Sequence, residues 1–158
     1  MKLILENWRK YMLVEKKSDH AAVVVIINDA GKFLLLKRAD WTEKYSGIWN
    51  LPGGGSQPNE TPQETATREA KEESGLDIKI SDECLIHTKN KREKNIYFFA
   101  CGDFSGEVDE ERFEYNNKQD VEHEHTDFKW IYPDELDQYE CIPDTEFVVR
   151  KAYGQQIL

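Results

Sequence analysis

Apolar positions along this chain come in two patterns, and they predict where strands and helices lie. From Ala21 to Ile27 they are continuous and mostly β-branched, the mark of a strand buried on both faces. Asn28-Asp29-Ala30-Gly31 supplies turn chemistry and Phe33 to Leu36 returns apolar, so a hairpin is expected, ending in the positive pair Lys37-Arg38. Ile48 to Leu51 reads as a short strand. Pro52-Gly53-Gly54-Gly55 stops it, with glycines that let the backbone turn sharply and approach a ligand. Asp77 to His87 reads as a strand interrupted near Ser81-Asp82, and Lys89 to Asn95 as a basic turn. Ile96 to Cys101 and Phe128 to Tyr132 are further strands, the former with Tyr97 and Phe99 on one side. Gly102 to Glu114 is polar and reads as a loop, with a short strand near Gly106-Glu107-Val108. Helical spacing occurs at both ends. Leu5, Trp8 and Met12, with Ile4 and Tyr11 beside them, predict an N-terminal amphipathic helix. Pro133 to Leu136 begins a short helix, and Phe147, Val148 and Tyr153 mark a closing one.

One further helix is specified by its caps. Thr61 suits the N-cap, Pro62 the first helical position, and Glu64 completes a capping box three residues after Thr61. Gly75 is a C-terminal stop, so the helix runs from Pro62 to Ser74. Glu69, Glu72 and Glu73 then lie at i, i+3 and i+4 and share a face. Two unit charges ~6 Å apart repel by ~0.7 kcal/mol in water and ~3 kcal/mol at an effective dielectric of about 20. Such crowding is relieved by a cation, and hard divalent ions take carboxylate oxygens and water. The bland alternative is a solvated acidic face on an acidic protein.

Composition sharpens this. The chain has 158 residues and a formal net charge of -10, with 33% charged side chains. That length suits one domain, here 20–158, preceded by a helical extension at 1–19. The negative field disfavours nucleic-acid polymers and anionic membranes as partners, and no apolar run reaches a membrane span. No signal peptide is visible, because Glu6, Arg9 and Lys10 already interrupt the first residues. Three cysteines (Cys84, Cys101 and Cys141) without Cys-x-x-Cys spacing point to a reducing, cytoplasmic setting and away from a disulfide frame. The extension around Trp8 makes a homodimer an expectation.

The acidic helix sits inside a longer pattern: Gly54, Glu60, Arg68, Glu69, Ala70, Glu72, Glu73, Gly75 and Leu76. This resembles the Nudix box with every fixed position met. The likeness extends back through Trp49-Asn50-Leu51-Pro52-Gly53 and forward to Trp130 and Pro133-Asp134-Glu135-Leu136. The resemblance implies an α+β fold, the Nudix-type α/β/α sandwich with a mixed β-sheet between helices. It also implies hydrolysis of a nucleoside diphosphate linked to another group. By that likeness Glu69, Glu72 and Glu73 hold Mg2+ or Mn2+. Arg68 orients the carboxylates, Glu60 supports them, and Gly54 marks where the loop bends toward the helix. The family often adds a distal carboxylate ahead of the last strand. Glu124 is the choice here, with Glu122 and Asp120 as competitors. One of these carboxylates, from the helix or the Glu124 loop, would serve as the general base.

Lesser signals are weighed beside it. Glu122-His123-Glu124-His125 alternates as a zinc strand could, but no further ligand is evident, and a solvated acidic loop with one catalytic carboxylate fits better. His20 and His87 read as ordinary surface or core histidines. Trp49, Tyr97 and Phe99 could stack on a base, although strand aromatics usually pack the core. Arg38 is preferred over the Lys89 to Lys94 turn for gripping phosphate. For substrate, the ADP-ribose type carries a proline downstream of the box where this chain has Lys91-Arg92. The dinucleoside polyphosphate type carries a tyrosine where it has Glu93. Elimination leaves a (deoxy)nucleoside triphosphate or a modified one, then a nucleoside diphosphate sugar. An RNA 5′-end hydrolase, a nucleotide-sensing module and an isoprenoid diphosphate isomerase are the remaining alternatives.

Overall fold

The β-branched run forms β1 (His20–Ile26), and its alternation divides the protein into two cores. Ala22, Val24 and Ile26 point into one, while Val25, with Val23 and Ile27 beside it, points into the other. The structure is a computed structural model that describes residues 19–42, 44–116 and 124–154. The N-terminal helix around Trp8 therefore lies outside the described residues, as do Asp120, Glu122 and His123.

Both edges of β1 are taken. It runs parallel to β7 (Lys94–Cys101) on one side and antiparallel to β4 (Gly53–Gly55) on the other. Beyond β7 lies β6 (Leu85–Lys91), giving the order β4-β1-β7-β6. This is why the expected hairpin does not form. The turn does close, through Asn28 N–H to the Lys32 carbonyl at 2.9 Å and a single bridge between Ile27 and Phe33. But β2 (Phe33–Arg38) finds no free edge on β1. It pairs instead with β3 (Trp49–Asn50) and β9 (His125–Ile131) in a separate antiparallel ladder. A two-stranded ladder joins β5 (Asp77–Ile78) to β8 (Phe104–Ser105).

Helices cover both faces of this strand layer. Helix α1 (Pro62–Ser74) buries Ala66 and Ala70 over Val24, Leu34, Leu36 and Phe99. Helix α3 (Thr145–Ala152) buries Val148 and Val149 over Val25, Phe33, Leu35 and Ile131, joined by Leu136 from the 3-10 segment Pro133–Gln138. Strand β2 alternates between the two cores, so the ladders act as one mixed layer in an α/β/α sandwich, as expected.

Two local expectations are corrected. The segment read as a polar loop contains α2 (Glu110–Asn116), anchored by buried Phe113 against Phe128 with ring centroids 5.1 Å apart. A single apolar anchor gives no helical periodicity to read. The basic turn is also shorter than expected: β6 and β7 run on through Lys91 and Lys94, leaving only Arg92 and Glu93. Both are left-handed, with φ of 53° and 64°, the conformation a two-residue hairpin turn demands.

Candidate active site

Helix α1 is capped at both ends as its sequence predicts. Thr61 Oγ1 accepts from Glu64 N–H at 3.1 Å, and Glu64 Oε1 accepts from Thr61 N–H at 3.2 Å. Gly75 ends the helix at φ 85°, in the left-handed region. These local contacts fix which face of α1 turns toward β4.

Arg68 organises that face. Its Nε donates to Glu60 Oε2 at 2.8 Å and its Nη2 to Glu60 Oε1 at 3.0 Å, a bidentate pair. Nη1 reaches Glu69 at 3.0 Å and Glu72 at 3.1 Å, while Nη2 also donates to the Gly55 carbonyl at 2.9 Å. The guanidinium holds the Glu60 carboxyl down at about 2. Glu69 behaves oppositely: burial raises it despite Arg68, and the charges of Glu72 and Glu124 add to the shift. Glu73 is raised furthest, by burial first and then by Glu69 and Glu124; only Gly53 N–H, at 3.0 Å, and the Arg38 charge oppose this.

The glycines serve closeness here, and the expected sharp turn is corrected. None of Gly53, Gly54 or Gly55 is left-handed, and all three lie in a β-strand. A Cβ on Gly54 would stand 2.5 Å from Glu69 Oε1, whereas a Cβ on Gly53 would stand 2.5 Å from the backbone oxygen of Ala22. Gly54→Ala therefore displaces a flexible carboxylate and Gly53→Ala strains a strand pair. We expect Gly54→Ala to keep its melting temperature while losing at least about tenfold in turnover. Gly53→Ala should lose about 1–3 kcal/mol of stability. Parallel melting and activity curves check this, and an active Gly54→Ala contradicts it.

Across from the helix, Glu124 immediately precedes β9 and pairs with Arg38 Nη1 at 3.4 Å; Ala39 N–H donates to its carbonyl at 2.7 Å. Glu124 lies near enough to the helix face for its charge to raise both Glu69 and Glu73, and the Arg38 charge opposes the shift of Glu73. His125 turns the other way, into the protein, with Nε2 3.1 Å from Asn50 Oδ1. Burial, then Arg38, depresses it to about 3. The folded imidazole thus stays neutral where the unfolded one takes up a proton, so stability is unaffected by this group above pH ~6.5 and declines as pH falls toward 3, by up to about 1.4 kcal/mol per pH unit. His125→Gln should flatten the slope of unfolding free energy between pH 6.5 and 4.5. Urea melts measure it, and an unchanged slope refutes it.

A cavity of about 230 Å3 lies beside Gly54, between Val23 and Phe98 of the sheet and Asn50, Asp144 and Thr145. None of the three aromatics weighed for base stacking lines it, and Phe99 is fully buried in the core under α1. Tyr97 is on the α1 side of the sheet, edge-on to His20 with centroids 5.8 Å apart. Trp49 packs edge-on to Tyr139 at 5.2 Å. Asp144 and Thr145 carried no signal in the sequence, and Asn50 only as part of the stretch leading into the box. A larger groove of about 570 Å3 runs between the 3-10 segment and α3, but Asp134, Asp137 and Glu146 on its walls would repel a phosphate.

Among the described residues no three donors converge to ligating distance. The donor set still suits a hard cation. Glu69, Glu72, Glu73 and Glu124 supply oxygen only, and burial with neighbouring carboxylates disfavours the charges of Glu69 and Glu73. Magnesium in particular keeps several waters and needs only one or two carboxylates beside a phosphate.

The chain belongs to the NUDIX family, whose domain model matches residues 17–150. It is a Nudix hydrolase. Nucleoside triphosphatase NudI of Escherichia coli O1:K1 / APEC is 30% identical over 141 residues, covering 81% of this chain and 92% of that protein. CTP pyrophosphohydrolase of Escherichia coli K12 is 28% identical over 123 residues, covering 77% and 82%. A solved MutT structure, from work on Aliivibrio salmonicida and Vibrio cholerae, shares the fold with a TM-score of 0.66 at 20% identity, covering 87% of this chain and 98% of that one.

Proposed function

We propose that this protein hydrolyses the pyrophosphate linkage of a nucleoside triphosphate, or of a modified one, with Mg2+ or Mn2+. The observation that carries the reading is the acidic face of α1 beside a cavity at Gly54: Glu69 and Glu73 are both raised by burial and by neighbouring carboxylates, Glu72 shares the Arg68 fork with Glu69, and Glu124 acts on Glu69 and Glu73 from just ahead of the last strand. The two nucleotide-hydrolysing relatives named above support it.

Each residue then has a task. Glu69, Glu72, Glu73 and Glu124 would hold the metal, which supplies positive charge to the phosphate oxygens and makes water more acidic. One carboxylate among Glu69, Glu72 and Glu124 takes the proton from the attacking water. Arg68, locked to Glu60, keeps Glu69 and Glu72 oriented. Arg38, released from its 3.4 Å pair with Glu124, is free to meet a phosphate. The cavity takes the base between Val23 and Phe98, with Asn50, Asp144 and Thr145 as its polar contacts.

A panel of nucleoside triphosphates, nucleoside diphosphate sugars and dinucleoside polyphosphates tests this. It is run with Mg2+ and with Mn2+, reading phosphate against pyrophosphate. Release of pyrophosphate with a nucleoside monophosphate from a triphosphate is the expected result. Turnover of sugar nucleotides alone would replace the substrate assignment, and no turnover of any member would overturn the reading.

A further inference from the structure

The contacts that hold Glu60 do not end with Arg68. Glu60 Oε1 also accepts from Gln57 N–H at 3.0 Å and from the hydroxyl of Thr65 at 2.7 Å. Thr65 is fully buried in the second turn of α1, next to Ala66. Packing alone would be served by a second alanine, and a β-branched residue lowers helix propensity. Its oxygen lies 2.9 Å from His20 Nε2. The proton order can be assigned. Two acceptors compete for the Thr65 proton, the Thr61 carbonyl at 3.1 Å and the ionised Glu60 at 2.7 Å, and the shorter, charged contact takes it. With its one proton used, Thr65 Oγ1 must accept from His20, which places a proton on Nε2. His20 is itself fixed. Its backbone N–H donates to Ser56 Oγ at 3.2 Å, its carbonyl accepts from Ser56 N–H at 2.8 Å, and its ring meets the edge of Tyr97. Ser56 follows Gly55, whose carbonyl takes the Arg68 Nη2 proton.

We propose that His20 and Thr65 are positioning residues for hydrolysis: the donor chain from His20 through Thr65 to Glu60 sets the Arg68 fork, and the fork aims the carboxylates of Glu69 and Glu72. The backbone of His20 pairs with Ser56 in the loop after β4, so the imidazole that reaches Thr65 is anchored next to the Gly55 carbonyl on the other side of the fork. This rests on the reading of α1 as the hydrolytic face. It gives a role to a histidine that the sequence alone presents as ordinary, and to a threonine that no motif marks.

The test uses Thr65→Val, which keeps shape and removes the hydroxyl, with Thr65→Ser, His20→Phe and the Thr65→Val/His20→Phe pair. Residues that orient ligands from behind are expected to cost about tenfold. Thr65→Val should lower kcat by that factor with KM little changed, because neither residue touches the cavity. Thr65→Ser should restore kcat. His20→Phe retains the ring contact with Tyr97 and should fall in the same direction, and the double variant should be no slower than Thr65→Val alone. A second readout needs neither nucleotide nor metal: the proton–nitrogen NMR signal of Arg68 Nε should move in Thr65→Val and return in Thr65→Ser. Parent-like kcat in Thr65→Val, failure of serine to rescue, additive losses or an unmoved Arg68 signal would each overturn the proposal. If Thr65→Val does not fold, His20→Phe decides by the same two readouts. If the parent protein turns over no nucleotide, the functional reading fails, while the Arg68 signal still decides the relay.

Discussion

Glu72→Gln is expected to lower kcat by about 10^2 to 10^4-fold, the range for loss of a general base, and to leave the fold intact. The separation follows from where Glu72 sits. Its side chain is 54% exposed and pairs with Arg68 Nη1 at 3.1 Å, one turn away. An exposed i,i+4 pair contributes about 0.3–0.5 kcal/mol. For a chain of this size that is a shift of about 1–2 °C in melting temperature. Glutamine keeps the length and an acceptor oxygen but removes the charge that a metal or a proton needs. Calorimetry and single-turnover assays on the same preparation read the two effects separately. An active Glu72→Gln would remove this residue from the chemistry, and a large drop in melting temperature would show that its role is structural.

Arg68→Ala should behave differently, losing both stability and activity. Glu60 and Glu69 have side chains only 11% and 14% exposed, and the substitution leaves both without their cation. Breaking such a pair from one side costs about 3–5 kcal/mol. Glu60 gives an independent estimate. Its carboxyl lies at about 2 in the folded chain against a reference of 4.5, a difference equivalent to about 3 kcal/mol. That stability is present above pH ~4.5 and is lost as pH falls toward 2, because protonation of Glu60 then breaks the pair. The gap between parent and Arg68→Ala in urea melts should therefore be full at pH 7 and narrow below pH 4.5. Arg68→Lys should recover little, since a point charge cannot serve Glu60, Glu69, Glu72 and the Gly55 carbonyl together. A gap that stays constant down to pH 3 would contradict the Glu60 account.

The parts of the site legible in the sequence are those set by contiguous residues. Helix α1 begins at Pro62 and ends at Ser74 as read, because Thr61, Glu64 and Gly75 fix its ends through contacts a few residues apart. What was not legible depends on partners far along the chain. Whether β2 joins β1 depends on β7 and β4 having taken both edges of β1. Whether Tyr97 faces the cavity or α1 depends on which face of β7 its register presents. The glycines before the box suggested a turn, whereas they admit Glu69 and the backbone of β1. His20 and Thr65 lie 45 positions apart, and only the docking of α1 on β1 makes them neighbours.

The parallel register of β1 and β7, which sets His20 beside Asn95, also governs when this protein can work. Every residue of the box lies inside the loop that this pairing closes. A nascent chain that has delivered Gly54 through Leu76 to the solvent holds the box carboxylates and none of their arrangement, because β7 and, beyond it, Glu124 have still to be synthesised. Long-range parallel closure is slow, so the docked carboxylate face of α1 should be among the last features to appear during folding. Its helix can form early on its own caps, and activity should then rise with the protection of β1 amides from exchange, later than helical signal.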